Sequence, residues 1–200
     1  MRICRLASGP ESGKEGHTMV VLIVILAIVV VLAIAAIVLY NNLVRLKNRV
    51  LNAWSQIEVQ LQRRADLIPN LVRTVKGYAS HEKRVFEEVN DARERLMSAS
   101  TPEQAVETDD RLTQSLGRLF ALAEAYPDLK ASANFQELQS ELSKTEDRIS
   151  YMRQSYNDTV MRYDTALQTF PGVLFAGAFP RFQSFTAQEH ATSVPQVSFE

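Results

Sequence analysis

The chain has 200 residues, a formal net charge of -1 and 46% hydrophobic content, enough for one ordinary domain plus an appendage. The near-neutral balance leaves no electrostatic footprint for nucleic acid, so no nucleic-acid partner is expected. Its one cysteine, Cys4, excludes an intrachain disulfide, and the glycines and prolines gather towards the two ends, leaving a middle as poor in punctuation as long helices are.

Residues 1–18, "MRICRLASGPESGKEGHT", are polar and expected to be structureless. Their "GPESGK" is one residue short of a phosphate-binding loop and is followed by Glu15 where Ser or Thr would bind magnesium, so it reads as accidental. Met19 would be a natural initiator. From Met19 to Leu39, about 21 residues carry no charge and no hydrogen-bonding side chain, which matches a hydrocarbon core of roughly 30 Å. Ala33-Ile34-Ala35 resembles a cleavage site, but the run is too long for a signal peptide and continues through Ile37, Val38 and Leu39. Residues 19–39 are therefore expected to be an uncleaved transmembrane helix. Arg45, Lys47 and Arg49 follow it closely, with Arg63 and Arg64 beyond; Arg2, Arg5 and Lys14 precede it, but are lost if the chain starts at Met19. Positive-inside reasoning then puts the large domain in the cytoplasm.

The expected domain, residues 40–170, is a set of amphipathic helices. Leu43, Leu46, Val50, Trp54, Ile57 and Leu61 recur at steps of three and four, so the anchor is expected to run on towards Ala65. The stripe resumes at Leu71, Val75, Tyr78, Val85, Val89, Ala92 and Leu96. Lys83 with Glu87, Arg84 with Glu88 and Asp91 with Arg95 stand at i,i+4 on the other face, as on a solvated surface. Between the two stripes lies Pro69, which lacks an N–H and clashes with the carbonyl four residues back in a helix interior. A helix boundary is expected there, with a turn through Asp66 and Leu67, Asp66 capping the next helix, Pro69 in its first turn, and Leu67 and Ile68 plugging the end of the bundle. One continuous helix through Pro69 is the competing arrangement.

Thr101, Pro102 and Gln104 form a capping box after the loop "SAST", and Leu112, Leu116, Leu119 and Ala123 mark the following helix, stopped by Tyr126 and Pro127. The last helix begins near Asn134 and carries Phe135, Leu138, Leu142, Thr145, Ile149, Met152, Tyr156, Tyr163 and Phe170 at close to 3.5-residue spacing. No helix is apolar all round, so the expected fold is all-α: an N-terminal transmembrane helix followed by an antiparallel bundle of four long helices. Residues 171–200 form a hydrophobic tail. Up-down-up-down topology returns "FPGVLFAGAFPRFQSF" to the bilayer surface, where Val173, Leu174, Phe175, Phe179, Phe182 and Phe185 are candidate membrane contacts and Arg181 is available to headgroups. The alternative is that these side chains fold back over the base of the bundle.

The stretches "YNNLVRLKNRVLNAWSQIEVQLQRRADLIPNLVRTVKGYASHE" and "ALAEAYPDLKASANFQELQSELSKTEDRISYMRQSYNDTVMRYDTALQTFP", with a closing "PQVSF", closely resemble the LemA family of bacterial membrane proteins over nearly all of Tyr40 to Phe199. The resemblance implies a single-span inner-membrane protein with a helical-bundle domain and no established catalytic activity; members of the family include proteins associated with magnetosome membranes. It also singles out Trp54, Asp66, Pro69, Asn70, His81, Glu82, Tyr126, Pro127, Tyr156 and Asn157 as structural motif residues. Ala65 departs from the usual aromatic or histidine, Glu58 from the usual aspartate, and the segment before Met19 is atypical.

No catalytic, cofactor-binding or metal-ligating residues are expected. His81 and Glu82 are adjacent, so on a helix they point about 100° apart. There is no HExxH and no Glu-x-x-His, and His17, His81 and His190 are scattered. No serine lies in a G-x-S-x-G elbow. The acidic pairs Glu87-Glu88 and Asp109-Asp110 are expected on helix surfaces. The expectation is a non-catalytic, membrane-anchored scaffold or adaptor presenting helical faces to a protein partner or to copies of itself; the alternative is a membrane-contacting or membrane-shaping protein acting through its tail.

Overall fold

The computed structural model describes residues 12–185, and expectations for residues 1–11 and 186–200 lie outside it. Helix α1 spans Ser12–Lys76, α2 Lys83–Ser98, α3 Pro102–Ala123, α4 Pro127–Lys130 and α5 Ala133–Gln168, followed by a 3-10 helix at Gly172–Ala178. There is no strand among the described residues. Residues 12–18, expected to be structureless, are the first turns of α1.

The apolar run from Met19 onward is exposed, and α1 is the one described helix long and apolar enough to cross a membrane by length and composition. Its many β-branched residues are modest helix formers in water, but in hydrocarbon an unpaired backbone has no solvent partner, so helix is the state such a run adopts. Beyond Tyr40 the same helix acquires a buried stripe: Leu43, Val50, Ile57, Leu61, Ala65, Ile68, Leu71 and Val75. No linker separates the two parts.

The expected boundary at Asp66 to Pro69 is absent. Pro69 lies inside α1, and the chain turns only after Lys76, through "GYASHE". Proline at 69 cannot donate to the Ala65 carbonyl, and the structure supplies another donor: Arg93 Nε of α2 bonds that oxygen at 2.8 Å. The orphaned acceptor thus becomes the point at which α2 is tied to α1, offsetting part of the roughly 3 kcal/mol that an interior proline costs. Asp66 caps nothing; mid-helix, it accepts from Gln62 Nε2 at 2.9 Å. Ile68 is fully buried along the bundle rather than at its end, and Tyr78, expected in the stripe, is 46% exposed in the turn.

The other punctuation falls where expected. Thr101 Oγ1 accepts from Gln104 N at 3.3 Å, and the Gln104 side chain reaches back to the Ser100 N–H at 3.2 Å, one residue earlier than in a standard capping box. Pro127 ends one helical run and opens the single turn of α4. On α2 the buried face is Phe86, Val89, Ala92 and Leu96, with Val85 only half-buried. Of the three i,i+4 ion pairs, Arg84 with Glu88 forms, at 3.0 Å.

Up-down-up-down order holds, but the four helices are unequal. α1 and α5 form a long antiparallel pair, whereas the α2–α3 hairpin is short and covers only the half remote from the apolar run: its loop reaches the level of Trp54 to Gln62, where Leu96, Ala99 and Ala105 gather. The lower half is covered by the tail. After α5 ends at Gln168, the chain reverses around Gly172, where a Cβ would run into the Ala166 carbonyl oxygen. It then climbs back along α1 and α5. Phe170, expected in the core, lies beyond the helix end and is 81% exposed, while Val160 and Leu167 are buried in its stead.

Replacing Arg93 with Met should cost about 1–3 kcal/mol by leaving the Ala65 carbonyl unpaired. Pro69→Ala restores the missing helix donor, so the same Arg93→Met change made in that background should cost much less, a coupling that urea unfolding of the four proteins will measure.

Candidate functional site

Three charged residues occupy slots in the apolar stripes of three helices. Arg64 falls between Leu61 and Ile68 on α1, Asp109 between Ala105 and Leu112 on α3, and Arg153 between Ile149 and Tyr156 on α5. They meet in the core. Arg64 Nη1 bonds Asp109 Oδ1 at 2.7 Å and pairs with Glu146, its Nη2 donates to Thr113 Oγ1 at 2.9 Å, Arg153 Nη2 bonds Asp109 Oδ2 at 2.7 Å, and Arg153 Nη1 reaches Asp110 at 3.1 Å. Asp109 is fully buried and Arg64 is 3% exposed. This corrects the surface placement expected for Asp109.

Two guanidinium groups thus face three carboxyls. Each oxygen of Asp109 accepts from a different arginine, so the carboxylate bridges α1 to α5 through α3. Burial pushes the Asp109 carboxyl above the usual range, against the pull of Arg64 and Arg153, and burial likewise raises Glu146. The ion pairs tie the three helices together, although three carboxyls outnumber two guanidinium groups and, among the described residues, Arg64 Nε and Arg153 Nε are buried without a hydrogen-bond acceptor. A cleft of about 320 Å³ opens beside it between α3 and α5, with Arg64 and Glu146 on its wall.

The second cluster holds the tail. Trp54 and Tyr156 meet edge to face with centroids 6.2 Å apart, and Phe185 joins both, stacked on Tyr156 at 4.7 Å and tilted on Trp54 at 6.0 Å. Asn157 bonds both backbone groups of Phe185, Nδ2 to the carbonyl and Oδ1 from the N–H, each at 2.7 Å. Tyr163 OH donates to the Pro180 carbonyl at 2.7 Å and stands edge to face with Phe182, while Phe175 and Phe179 flank Tyr40. Phe175, Phe179, Phe182 and Phe185, expected as candidate membrane contacts, therefore pack on the bundle, and Arg181 pairs with Asp164 at 3.3 Å. Val173 and Leu174 remain 48% and 72% exposed.

The other motif residues are dispersed. His81 is exposed and Glu82 half-buried in the turn before α2, where neither side chain caps the helix. Asn70 offers its carbonyl to Thr74 Oγ1 at 2.9 Å. Tyr126 packs against the core and precedes Pro127, its carbonyl accepting from Lys130 N at 3.1 Å. Among the described residues no group of three or more His, Cys, Asp or Glu side chains is placed to hold a metal ion.

Trp54 on α1 and the adjacent pair Tyr156 and Asn157 on α5, all singled out in sequence, converge here on one tail residue, and the match to known proteins spans this same unit. A profile of the LemA family covers residues 53–199. The chain belongs to the LemA family. It is 26% identical to Magnetosome protein MamQ of Magnetospirillum gryphiswaldense, over 66% of this chain and 58% of that protein. Magnetosome protein MamQ 2 of Paramagnetospirillum magneticum is 27% identical, over 79% and 70%, and Protein LemA of Metamycoplasma hominis 28%, over 65% and 60%. The match thus spans less than two thirds of the first and the last of these relatives. The LemA profile begins at Ala53, so the apolar run and the first turns of the bundle precede the matched region.

Asp109→Ala should cost about 3–5 kcal/mol, because two buried guanidinium groups lose their shared acceptor. The pH dependence follows from the raised carboxyls. The folded chain holds their protons more tightly than the unfolded chain, so this contribution to stability is full below the ordinary carboxylate range and is lost as pH rises through the folded values. Chemical unfolding across that window should show the decline, and Asp109→Asn combined with Glu146→Gln should flatten it. Separately, Asn157→Ala should speed hydrogen exchange at Arg181 to Phe185 while leaving α2 and α3 protected.

Proposed function

We propose that this chain is a non-catalytic, membrane-anchored scaffold or adaptor of the bacterial cytoplasmic membrane, whose helical faces engage a protein partner at the membrane. The observation that carries this reading is the continuity of α1: the apolar run passes without a linker into the buried stripe of the bundle, which suits a post that holds its outer faces at fixed height and orientation. Two further features support it. The buried charges pair mainly with one another within the fold, and relatives of the chain are named as magnetosome proteins. The excess of Arg45, Lys47 and Arg49 just after the apolar run favours a cytoplasmic bundle.

A second reading, membrane contact through the tail, draws support from Phe170, Val173 and Leu174, which are exposed where the reversal brings the chain beside Tyr40. It is a narrower contact than the six-residue surface expected from the sequence.

Photo-crosslinking from exposed positions on α2 and α3 in native membranes should recover the same partner protein repeatedly, and recovery of lipid alone, from residues 170–174 alone, would favour the second reading. For topology, Glu87→Cys in a Cys4→Ser background should resist a membrane-impermeant thiol reagent in intact cells and react after lysis; labelling in intact cells would place the bundle outside.

A further inference from the structure

The tail covers one side of the lower α1–α5 pair, and the opposite side is open. There a groove of about 590 Å³ runs between the two helices, with Arg45, Asn48, Arg49 and Asn52 on the α1 wall and Ser155 and Thr159 on the α5 wall. We propose that this groove is a binding site for the headgroup of an anionic phospholipid of the phosphatidylglycerol class.

Charge is the first argument. No carboxylate lines the groove, where two arginines stand together, and neither Arg45 nor Arg49 is drawn into an ion pair among the described residues. Two guanidinium groups one turn apart on one wall make a site for a doubly contacted phosphate, since the planar fork matches its oxygens. The remaining lining mixes polar groups with the apolar surfaces of Ala53, Tyr151 and Met152. Asn52 receives a bond from Gln56 Nε2 at 3.0 Å, which leaves its own amide hydrogens as donors. Thr159 gives its proton to the Ser155 carbonyl at 2.8 Å, which leaves its oxygen as an acceptor for a headgroup hydroxyl.

Position is the second argument, and it selects a lipid over a soluble anion. Arg45 follows the end of the apolar run by six residues, or about 9 Å of helix, and the polar headgroup layer adds roughly 5–7 Å to each side of the hydrocarbon. Helical side chains lean towards the N-terminus of their own helix. On a helix rising from the bilayer, Arg45 and Arg49 therefore lean down towards the phosphates, and their length covers the remaining gap. Above them the groove continues to Gln56, room for the headgroup that a phosphate at its mouth would carry.

The test uses the full chain purified in a non-ionic detergent and stripped of lipid, titrated with phosphatidylglycerol, phosphatidylcholine or inorganic phosphate and read by native mass spectrometry. A single phosphatidylglycerol should bind at lower concentration than phosphatidylcholine, and Arg45→Gln with Arg49→Gln should weaken that binding by roughly tenfold or more. Ser155→Leu, which fills the groove without touching its charge, should weaken it as well. Arg73→Gln with Lys76→Gln, the same loss of two charges at the far end of the bundle, should leave it unchanged, and all variants should melt with the parent. Equal binding of phosphatidylcholine, undiminished binding in both groove variants, or inorganic phosphate displacing the lipid at equal concentration would each overturn the proposal.

Discussion

Everything in this fold follows from the need to cover the apolar stripe of α1 along its whole length beyond Tyr40. The stripe and its partner on α5 run for more than thirty residues, far longer than the α2–α3 hairpin that packs against them. A pair of helices alone cannot bury two stripes, because each keeps an open flank to water. The upper flank is closed by the hairpin and the lower flank by the tail, which is the remaining apolar segment of the described chain. The tail's phenylalanines are thus bundle residues that arrive late in the sequence.

Within that apolar seam, position is set by polar atoms. Hydrophobic stripes at helical spacing allow several registers of nearly equal burial, whereas a guanidinium must meet its acceptor or leave a buried charge unpaired. Arg93 finds one carbonyl on α1, the one that Pro69 has freed. Asp109 fixes three helices at a second level, and Asn157 fixes the tail at a third. Each of these contacts joins segments distant in sequence, and each uses a group that would be costly to bury in any other alignment. Continuous packing supplies the stability, and these three points select one alignment of it.

The legibility of the sequence divides along the same line. Periodicity located α3 and α5, the cap at Thr101 and the turn at Ser98 to Thr101, because those signals are local. It failed at Pro69, since the donor that makes an interior proline tolerable stands on another helix, 28 residues from the Ala65 carbonyl it satisfies. The core charges were also missed, although a signal was present: Arg64, Asp109 and Arg153 each sit in a stripe slot where an aliphatic residue belongs, two of one sign and one of the other. The acidic neighbour Asp110 disguised Asp109 as part of a surface pair. Trp54, Tyr156 and Asn157 were singled out by resemblance alone, and their shared contact, Phe185, emerges only once the tail is seen to reverse at Gly172.

A helix with no joint between its apolar run and its bundle is also a lever. From Tyr40 to Lys76 it extends about 54 Å, so each 10° of inclination at the bilayer surface displaces its far end by about 9 Å. Spans tilt by around 20° on average, and by more where the bilayer is thin for their length. With no hinge to absorb that angle, membrane thickness becomes a mechanical input to the bundle. Two bilayers differing by a few ångströms would hold the turn carrying His81 at different heights and bearings, and would sweep its exposed faces through different volumes of the space beside the membrane.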